Sequence, residues 1–561
     1  MKLGRRPTLA IMAALILFNV LLRYPRSEHE VDVDSFFIHA LSGAILSDGY
    51  AEWVLNPLSF FGWYPLSYPS AGPFSLACIS AVSGMNLEAA ILALSMLLGP
   101  VGILGTFLVA REIRQDNRFA LAAAYLYGLA PRFLAITLWT GSTRNLFMAL
   151  LPITLWALLR TYRRRSVGNL AVLAICFMTL AASHRLIVLI FIVIIAFLFA
   201  IMVQVVLRIV RIRIPQIVLR NSVRGAAPQL ALAFVVLSAI VMLIGMDVLA
   251  QYSTGEIASG SDVGTQLLNL TISIARSGGL ALAFSLIGLV VVTRHRNKTI
   301  AEPFLAMTLV GLIPTLFLRQ YTGFYIMPFL AIFGGLGLVD LIRRFNHHHV
   351  AAAVVGISLV LGVAVTSTLI LEVEVSRVPV LPSYTYSTGV YVRTIRLPGT
   401  MVANDGLTGI RVAAVSGVSV LPIGGAGTTF QNPELLAYRF YSGHEVANQL
   451  VRLPIQDLSI ESDSLWIVTG IQAELDWVEI VSSPYGNVPN TLMARYQPSY
   501  YLELDQASGR FLAFSNTYCS NLGLGVGEQA YRIYSNGYES LWWLHSPGWT
   551  SSSEDGPRRC P

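Results

Sequence analysis

The residues best suited to do chemistry lie together in one short stretch of the sequence, residues 28–39. Four carboxylates and two histidines occur there within 12 residues, in a chain of 561 residues of which only 12% are charged. Carboxylates at a membrane boundary can bind a divalent metal through their oxygens, and one of them could instead take a proton from an acceptor hydroxyl. A solvated acidic loop is the purely structural alternative. The six residues are Glu28, His29, Glu30, Asp32, Asp34 and His39.

The pattern becomes helical from Asp34 onward, which would put Asp34 and His39 partly on one face of a helix. Phe36 and Phe37 would then anchor that helix at the membrane surface. The stretch 53–69 that follows is rich in Trp, Tyr, Phe and Pro. Such a segment is more typical of the aromatic belt at a bilayer surface than of a platform for a sugar ring.

Two later turns carry an arginine close to apolar runs. Arg144 lies in the turn 139–145, and Arg319 is followed by Tyr321 and Tyr325. A guanidinium can hold a carboxylate or a phosphate through two parallel hydrogen bonds. Arg319 fits phosphate binding better than a structural role. For Arg144 the anion could be a phosphate or an Asp of the first loop, and a guanidinium that merely reaches out from a helix end is an equal alternative.

His184 and Arg185 interrupt an otherwise apolar run over 167–207. The pair predicts a tight turn between two helices. His184 could serve as a metal ligand, but a turn residue is the favoured interpretation, and Arg185 is at most an auxiliary group beside it.

Hydropathy indicates what must position these residues. The chain is 55% hydrophobic with a mean hydropathy of +0.63, whereas a soluble domain is about 45–50% apolar and about 25% charged. A spanning helix needs roughly 20 mostly apolar residues, and we count about eleven such stretches. The sequence therefore predicts a polytopic α-helical membrane protein, with an interfacial or re-entrant helix at the short apolar stretch 70–84. The eleven stretches are 8–23, 88–110, 119–137, 145–160, 167–183, 186–207, 228–250, 277–293, 301–318, 323–342 and 350–371.

Charge gives the predicted orientation in the cell membrane. Lys2, Arg5 and Arg6 precede the first span, so we expect a cytoplasmic N-terminus. With eleven spans, every strong basic cluster then lies in a cytoplasmic loop, as the positive-inside rule requires. The loop 24–87, the turns at Arg144, His184 and Arg319, and the region 372–561 all fall on the extracytoplasmic side. The basic clusters are 111–118, 160–165, 208–224, 294–298 and 343–344.

The region beyond residue 371 has a different composition. It holds 11 Arg, no Lys and 17 acidic residues, a net charge of −6 against +13 for residues 1–371. The segments 409–418, 466–468 and 500–504 suggest strands, and 435–441 and 444–452 suggest helices. Cys519 and Cys560 could pair if this region is extracytoplasmic.

The sequence thus predicts three parts. A transmembrane domain covers 1–371 and includes the outer loop 24–87. An extracytoplasmic mixed α/β domain covers 372–548, and a disordered tail covers 549–561.

Several function classes are excluded by what the sequence lacks. The basic residues occur in short clusters between apolar runs, which argues against a nucleic-acid partner. The sequence contains no Walker A loop, no GxSxG, no HExxH and no paired CxxC, so the motifs of those enzymes are absent. The spans carry almost no acids, which a proton-coupled transporter would need.

The order of these features resembles the GT-C class of integral-membrane glycosyltransferases, which use polyprenyl-phosphate-linked donors. The resemblance covers residues 1–371, with a basic N-terminus, one span, an acidic outer loop, a helical bundle and a late Arg–aromatic turn. Within the class, Asp34-Ser35-Phe36-Phe37 is similar to the DPYF-type motif of oligosaccharyltransferase catalytic subunits.

The resemblance implies roles for particular residues. Asp34 would be a catalytic base or a ligand of Mg²⁺ or Mn²⁺, with Asp32 as a second ligand. Asp32 or Glu28 could replace Asp34 as the base. Arg319, with Arg144, would contact the donor phosphate, and Tyr321 and Tyr325 would line that pocket.

Two departures from the oligosaccharyltransferase pattern shape the predicted activity. The second outer loop reads Gly-Ser-Thr-Arg-Asn where those enzymes carry an acidic motif, and residues 542–545 read WWLH where WWDYG would begin the outer domain. We therefore expect transfer of single sugars from a polyprenyl-phosphate donor, without a metal, to an acceptor glycan, lipid or protein. An oligosaccharyltransferase-like enzyme and a non-enzymatic flippase or assembly scaffold are the alternatives.

Overall fold

The structure is a computed structural model that describes the larger part of the helical region and parts of the C-terminal region. The described residues are 4–49, 69–213, 277–279, 281–294, 299–313, 315, 322–344, 349–375, 380–395, 401–403, 406–417, 420–422, 464–470, 500–505, 510–515, 530–535 and 539–545. They fall into two compact units. One comprises 1–25 and 92–378, and the other comprises 26–91 and 379–561.

The first unit is a bundle of helices whose bounds follow the predicted apolar stretches closely. Apolar side chains on its outer faces are strongly exposed, among them Leu17 (61%), Leu198 (60%) and Leu361 (58%), as expected of surfaces that face lipid tails. Five described helices are long and apolar enough to cross a membrane: Arg5–Leu22, Leu87–Ile113, Thr143–Arg164, Leu186–Val206 and Gly323–Arg344. The helices are α1 (Arg5–Leu22), α4 (Leu87–Ile113), α5 (Asn117–Gly128), α6 (Pro131–Ile136), α7 (Thr143–Arg164), α8 (Val167–Ser183), α9 (Ile190–Arg213), α10 (Ala281–Arg294), α11 (Ala301–Leu312), α12 (Thr322–Arg344) and α13 (His349–Val375).

Glycines allow two helices of this unit to pack backbone against backbone. A Cβ atom on Gly337 of α12 would overlap the carbonyl oxygen of Phe284 in α10, and one on Gly288 would overlap the carbonyl oxygen of Phe333. Close approach through small residues is a common way for helices to associate inside a membrane. These glycines therefore fix the contact between α10 and α12.

The predicted span 119–137 is interrupted. It forms α5 and α6, with the break at Leu129 and Ala130 and a proline at the first turn of α6, where proline is tolerated. Two polar side chains from the end of α1 bind this region, one at the break and one at the end of α6. Asn19 Nδ2 donates to the carbonyl of Gly128 (2.7 Å), and Arg23 Nε donates to Thr137 Oγ1 (2.8 Å). The prediction of one continuous span was wrong because the Asn19 amide satisfies the carbonyl of Gly128 at the end of α5 and Pro131 begins a new helix.

Ion pairs join the ends of several helices at the basic clusters. Arg114 pairs with Glu302 (2.6 Å), Arg163 with Glu112 (3.2 Å), and Arg343 with Asp116. Three of the clusters predicted as cytoplasmic therefore lie at one end of this unit.

The second unit contains the acidic stretch and the described parts of the C-terminal region. Its helices are α2 (Val33–Asp48), α3 (Ala71–Ser83), α14 (Ser383–Ile395) and α15 (Gly406–Ser416). Five strands form a sheet in the order β2-β1-β3-β7-β6, in which β1 pairs in parallel with β2 and β3, and the other pairs are antiparallel. β4 and β5 form a hairpin. The strands are β1 (Met401–Ala403), β2 (Val420–Pro422), β3 (Ser464–Gly470), β4 (Tyr500–Asp505), β5 (Arg510–Ser515), β6 (Ala530–Ser535) and β7 (Glu539–His545).

One strand prediction was wrong. Residues 409–418 lie mostly in the helix α15, because a short apolar run fits a buried helix as well as a strand. Val412, Ala414 and Val415 are buried in that helix. The strands predicted at 466–468 and 500–504 lie within β3 and β4.

Some predictions remain predictions. The span 228–250, the helices at 435–441 and 444–452, both C-terminal cysteines and the tail 549–561 lie outside the described residues. The count of eleven spans and the domain boundary at 371 also stay predictions.

Candidate active site

The acidic stretch leads directly into α2, and its backbone is strained at the point of entry. Asp32 is the N-cap residue of α2 and has φ +84°, a region that residues other than glycine rarely adopt. Its carbonyl accepts the backbone N–H of Ser35 (2.9 Å). Non-glycine residues with positive φ cost roughly 1–3 kcal/mol and concentrate at functional sites. Asp34 follows in the first turn of α2, where the helix dipole favours a carboxylate.

Both carboxylate oxygens of Glu30 accept hydrogen bonds from side chains of α2. Ser35 Oγ donates to Oε2 and His39 Nδ1 donates to Oε1, each at 2.5 Å. Ser35 and His39 are four residues apart and so lie on the same helix face. The sequence pattern paired Asp34 with His39, but the residue that shares the Glu30-facing side of α2 with His39 is Ser35.

Glu30 is also bonded to other segments of its unit through its backbone N–H and carbonyl. The N–H of Glu30 donates to Glu88 Oε1 (3.2 Å), and its carbonyl accepts the N–H of Leu381 (3.1 Å). His29 Nδ1 lies 2.9 Å from the same Glu88 oxygen, and its ring stacks on Tyr386 with 4.0 Å between ring centres. Glu30 therefore joins α2, the start of α4 and the segment before α14.

Glu28 lies outside this buried network. It is exposed, and its carboxylate accepts a hydrogen bond from Ser383 Oγ at the start of α14. Glu28 is thus the alternate base with the most solvent around it.

The surrounding charges favour a protonated His39. Burial lowers the pKa of His39, but the Coulombic attraction and hydrogen bond of Glu30, helped by Glu88, outweigh it, against a smaller opposing effect of Arg393. The net result is a raised pKa for His39. A protonated His39 beside Glu30 gives a buried ion pair, which is stable only when both partners remain in place.

Phe36 and Phe37 are core residues of this unit and are not membrane anchors. They are 0% and 2% exposed and pack with Leu381, Ala414 and Val415. The sequence missed this because the partners lie some 345 or more positions away along the chain. Phe36 also lies under Arg411, whose Cζ is 5.6 Å from the ring centre.

In the first unit, two guanidinium groups approach one aromatic ring. Arg132 Cζ lies 5.0 Å and Arg144 Cζ 5.9 Å from the ring centre of Phe324. Arg132 also donates to Ser277 Oγ (3.2 Å), and Arg144 Nε donates to Ser142 Oγ (3.1 Å). Arg144 thus lies beside the first turn of α12.

The other residues singled out in the sequence have varied positions. Tyr325 is fully buried, with its ring centre 5.6 Å from that of Phe147, and its hydroxyl has no hydrogen-bond partner among the described residues. His184 caps the 3₁₀ turn Arg185–Leu189, because its Nδ1 accepts the N–H of Leu186 (3.0 Å). The turn predicted at His184 and Arg185 is therefore present. Arg319 and Tyr321 lie outside the described residues.

A divalent metal would need several carboxylate or imidazole ligands around one point. In the part of the chain that the structure describes, no three His, Cys, Asp or Glu side chains are grouped in this way. The oxygens of Glu30 are engaged by Ser35 and His39. The described donor set, including Asp32 and Asp34, therefore does not fit a bound Mg²⁺ or Mn²⁺.

Three candidate functional residues were not identified from the sequence: Glu88, Arg132 and Tyr386. Glu88 is an acid in the first turn of an apolar helix, a signal that could have been read, because ionisable residues in such segments usually have a function. Arg132 lies within the predicted span 119–137 and gives the same signal. Tyr386 is one tyrosine among many, and its sequence context gave no such signal.

The fold is shared with integral-membrane glycosyltransferases of known structure. The chain is similar to the oligosaccharyltransferase AglB from Archaeoglobus fulgidus, solved with an inhibitory peptide and a dolichol-phosphate, at 14% identity and a TM-score of 0.56, covering 90% of this chain and 74% of AglB. It also matches the A. fulgidus enzyme solved with Zn and sulfate, at 14% identity and a TM-score of 0.54, covering 90% and 72% of the two chains.

A second type of transferase has the same fold. The chain is similar to ArnT from Cupriavidus metallidurans in the apo state, at 12% identity and a TM-score of 0.51, covering 96% of this chain and 99% of ArnT. A search of curated proteins finds no match.

A family model provides the assignment. The model of the oligosaccharyl transferase STT3, N-terminal region, matches residues 9–371, which is more than half of the chain. The predicted GT-C class and the predicted glycosyltransferase activity are therefore confirmed. The chain belongs to the oligosaccharyl transferase STT3 family and is a membrane glycosyltransferase of the GT-C class that uses a lipid-linked donor.

Proposed function

We propose that this glycosyltransferase moves a single sugar from a polyprenyl-phosphate donor to an acceptor hydroxyl on the extracytoplasmic face, with Asp34 as the base. The observation that carries the proposal is the position of Asp34 in the first turn of α2, on a helix held by the buried carboxylate of Glu30. A carboxylate fixed on a rigid element can take a proton with a defined geometry. Asp32 and Glu28 remain the alternate bases.

The proposed reaction needs two functions from the protein: a base for the acceptor hydroxyl and groups that stabilise the leaving phosphate. Asp34 takes the proton as the acceptor oxygen attacks the anomeric carbon of the donor sugar. The new glycosidic bond forms while the bond from the anomeric carbon to the phosphate oxygen breaks. The electron pair of that bond leaves with the polyprenyl phosphate, so negative charge develops on the leaving group.

Arginines are proposed to stabilise that leaving charge. Arg144 and Arg132 share the ring of Phe324, and Arg319 and Tyr321 precede that ring by a few residues in the sequence. Guanidinium groups bind phosphate oxygens with two hydrogen bonds, and positive groups aimed at developing charge lower the barrier. We assign the donor phosphate to these residues, with Tyr325 beside them. A dolichol-phosphate in the AglB structure supports a donor of this class.

A second candidate, transfer of an oligosaccharide to asparagine, is favoured by the family match and by the AglB fold. Two features argue against it. The segment 141–145 carries Arg144 and no acid, and residues 542–545 lack an Asp. We therefore place hydroxyl acceptors first, and we include a peptide with an Asn-x-Thr sequence in the test.

The membrane orientation is part of the proposal. The ion pairs of Arg114, Arg163 and Arg343 gather three basic clusters at one end of the first unit, which supports a common cytoplasmic side for them. The N-terminus would then be cytoplasmic and the region after residue 371 extracytoplasmic. Cysteine labelling from outside intact cells, with single cysteines at Ser166 and Ser387, tests this: label at Ser387 supports the orientation, and label at Ser166 contradicts it.

Transfer itself is tested with the purified full chain in lipid nanodiscs. Radiolabelled polyprenyl-phosphate hexoses and pentoses are offered with a glycolipid acceptor or with the Asn-x-Thr peptide. Label in the glycolipid, lost in Asp34→Asn, supports the proposal. Label in the peptide alone would support the oligosaccharyltransferase alternative.

A further inference from the structure

We infer that Glu30, through Ser35 and His39, is a positioning group that sets the rotation of α2 and thereby aims Asp34 at the acceptor. The inference rests on the proposed role of Asp34. It assigns a function to a buried carboxylate that makes no contact with substrate itself.

Glu30, Ser35 and His39 form a buried hydrogen-bonded group, which we call the joint. Glu30 is therefore not a solvated member of an acidic loop. It is 0% exposed, Ser35 is 0% exposed and His39 is 7% exposed. The two carboxylate oxygens of Glu30 accept hydrogen bonds from Ser35 Oγ and His39 Nδ1. The backbone N–H of Glu30 donates to Glu88, and its carbonyl accepts the N–H of Leu381. A single residue therefore fixes two points on α2 to two other segments of the same unit.

Two contacts on one face determine how a helix is rotated about its axis. Ser35 and His39 are one turn apart, and successive residues of an α-helix are separated by about 100°. With Ser35 fixed against Glu30, Asp34 must project about 100° away from that contact. The backbone bond from Ser35 N–H to the carbonyl of Asp32 also keeps the first turn closed. A rotation of α2 would move the Asp34 carboxylate sideways, and a displacement of about 1 Å in a reacting group can cost roughly 100-fold in rate.

The charges around the joint explain why it holds. Glu30 faces His39 directly, Glu88 lies at the Glu30 backbone, and His29 is bonded to Glu88. Arg393 of α14 is a cation whose charge opposes the protonation of His39. The carboxylates thus have imidazole partners within the unit, and removal of one partner leaves a buried charge without compensation.

The experiment compares three serine and glutamate variants in the nanodisc transfer assay. Ser35→Ala removes one hydroxyl from the joint, and Glu30→Gln keeps the shape of Glu30 and removes its charge. Ser42→Ala is the matched control, because Ser42 is a buried serine on the same helix whose hydroxyl donates to the carbonyl of Ile38. We expect kcat to fall about 10-fold in Ser35→Ala and about 100-fold in Glu30→Gln, with KM for donor and acceptor within about twofold of the wild type.

A pH profile separates positioning from loss of fold. In the wild type we expect the alkaline limb of the kcat–pH profile to include the deprotonation of His39, because the charge of Glu30 raises the pKa of His39. In Glu30→Gln the limb should move to lower pH, whereas in Ser42→Ala it should not move. A purely structural role would lower the active fraction without moving the limb.

The outcomes distinguish this inference from the proposed function. If Asp34→Asn is inactive while Ser35→Ala and Glu30→Gln match Ser42→Ala in kcat and in pH profile, the positioning role is wrong and the base assignment stands. If Asp34→Asn keeps full activity, the base assignment falls and the positioning role falls with it. Ser35→Ala removes only one hydroxyl and should disturb folding less than Glu30→Gln, which removes a buried charge. The kcat of Ser35→Ala therefore decides the question if Glu30→Gln does not fold.

Discussion

The guanidinium of Arg132 lies over the ring of Phe324, with 5.0 Å between its Cζ atom and the ring centre. Arg144 approaches the same ring at 5.9 Å. Arg132 is 9% exposed, so an anion bound beside it would be held where water screens little charge. The proposed donor-phosphate group therefore includes a residue from the middle of a predicted span.

Replacing Arg132 should weaken donor binding as well as slow the chemical step, because its guanidinium would contact the phosphate both before and during transfer. We expect Arg132→Gln to raise the KM for the polyprenyl-phosphate donor about 10-fold, because one charge-assisted bond to phosphate is worth roughly 1.5–3 kcal/mol. Arg132→Lys should recover part of the loss. Arg118→Gln, at an exposed position on α5, is the matched control. Equal donor KM values for Arg132→Gln and Arg118→Gln would refute the assignment.

Backbone strain at Asp32 predicts an order of stability between two variants. Both Asp32→Gly and Asp32→Ala remove the carboxylate, but only glycine adopts φ +84° without a steric cost. Asp32→Gly should therefore be more stable by about 1–2 kcal/mol, measured as a higher Tm in thermal unfolding of the purified chain. An Asp32→Ala variant as stable as Asp32→Gly would mean that the entry to α2 has a different backbone conformation.

Much of the helical unit was predictable because hydropathy is a local signal. The stretches 88–110 and 323–342 correspond closely to α4 and α12. The break between α5 and α6 was only partly predictable. Pro131 is a local signal for a new helix start, but the bond to the Gly128 carbonyl comes from Asn19, more than 100 residues away in the sequence.

The location of the candidate site was predictable from the sequence, but its hydrogen bonds and packing contacts were not. The density of charge over 28–39 identified the stretch, and the helix that begins near Asp34 is α2. The role of Glu30 could not be read, because its partners Glu88 and Leu381 come from distant segments. Phe36 was misread for the same reason, since its core partners Leu381, Ala414 and Val415 are remote.

The close packing of α10 and α12 predicts that a small substitution is costly. Gly337→Ala places a methyl group against the carbonyl of Phe284 and 2.9 Å from the backbone N of Gly288. We expect a loss of about 1–3 kcal/mol, seen as a lower Tm. Gly168→Ala is the control, because a Cβ there meets nothing within 4 Å and alanine favours a helix by up to about 1 kcal/mol. A Gly337→Ala variant with the wild-type Tm would contradict the described packing.

The raised pKa of His39 predicts how stability depends on pH. Because His39 binds its proton more tightly in the folded chain than in the unfolded one, its contribution is fully present below about pH 6.5 and is lost as the pH rises through the folded pKa. The difference in Tm between the wild type and His39→Gln should therefore be largest below about pH 6.5 and shrink at higher pH. A difference that grows as the pH rises would reverse the sign and exclude the protonated pair.

The most direct test of the central claim is the single-turnover rate of sugar transfer by Asp34→Asn in nanodiscs, with saturating donor and the glycolipid acceptor. General base catalysis is typically worth 10²–10⁴-fold. We predict a rate lower than the wild-type rate by at least about 100-fold, with donor binding unchanged in a direct binding measurement. Transfer by Asp34→Asn at the wild-type rate would contradict the assignment of Asp34 as the base.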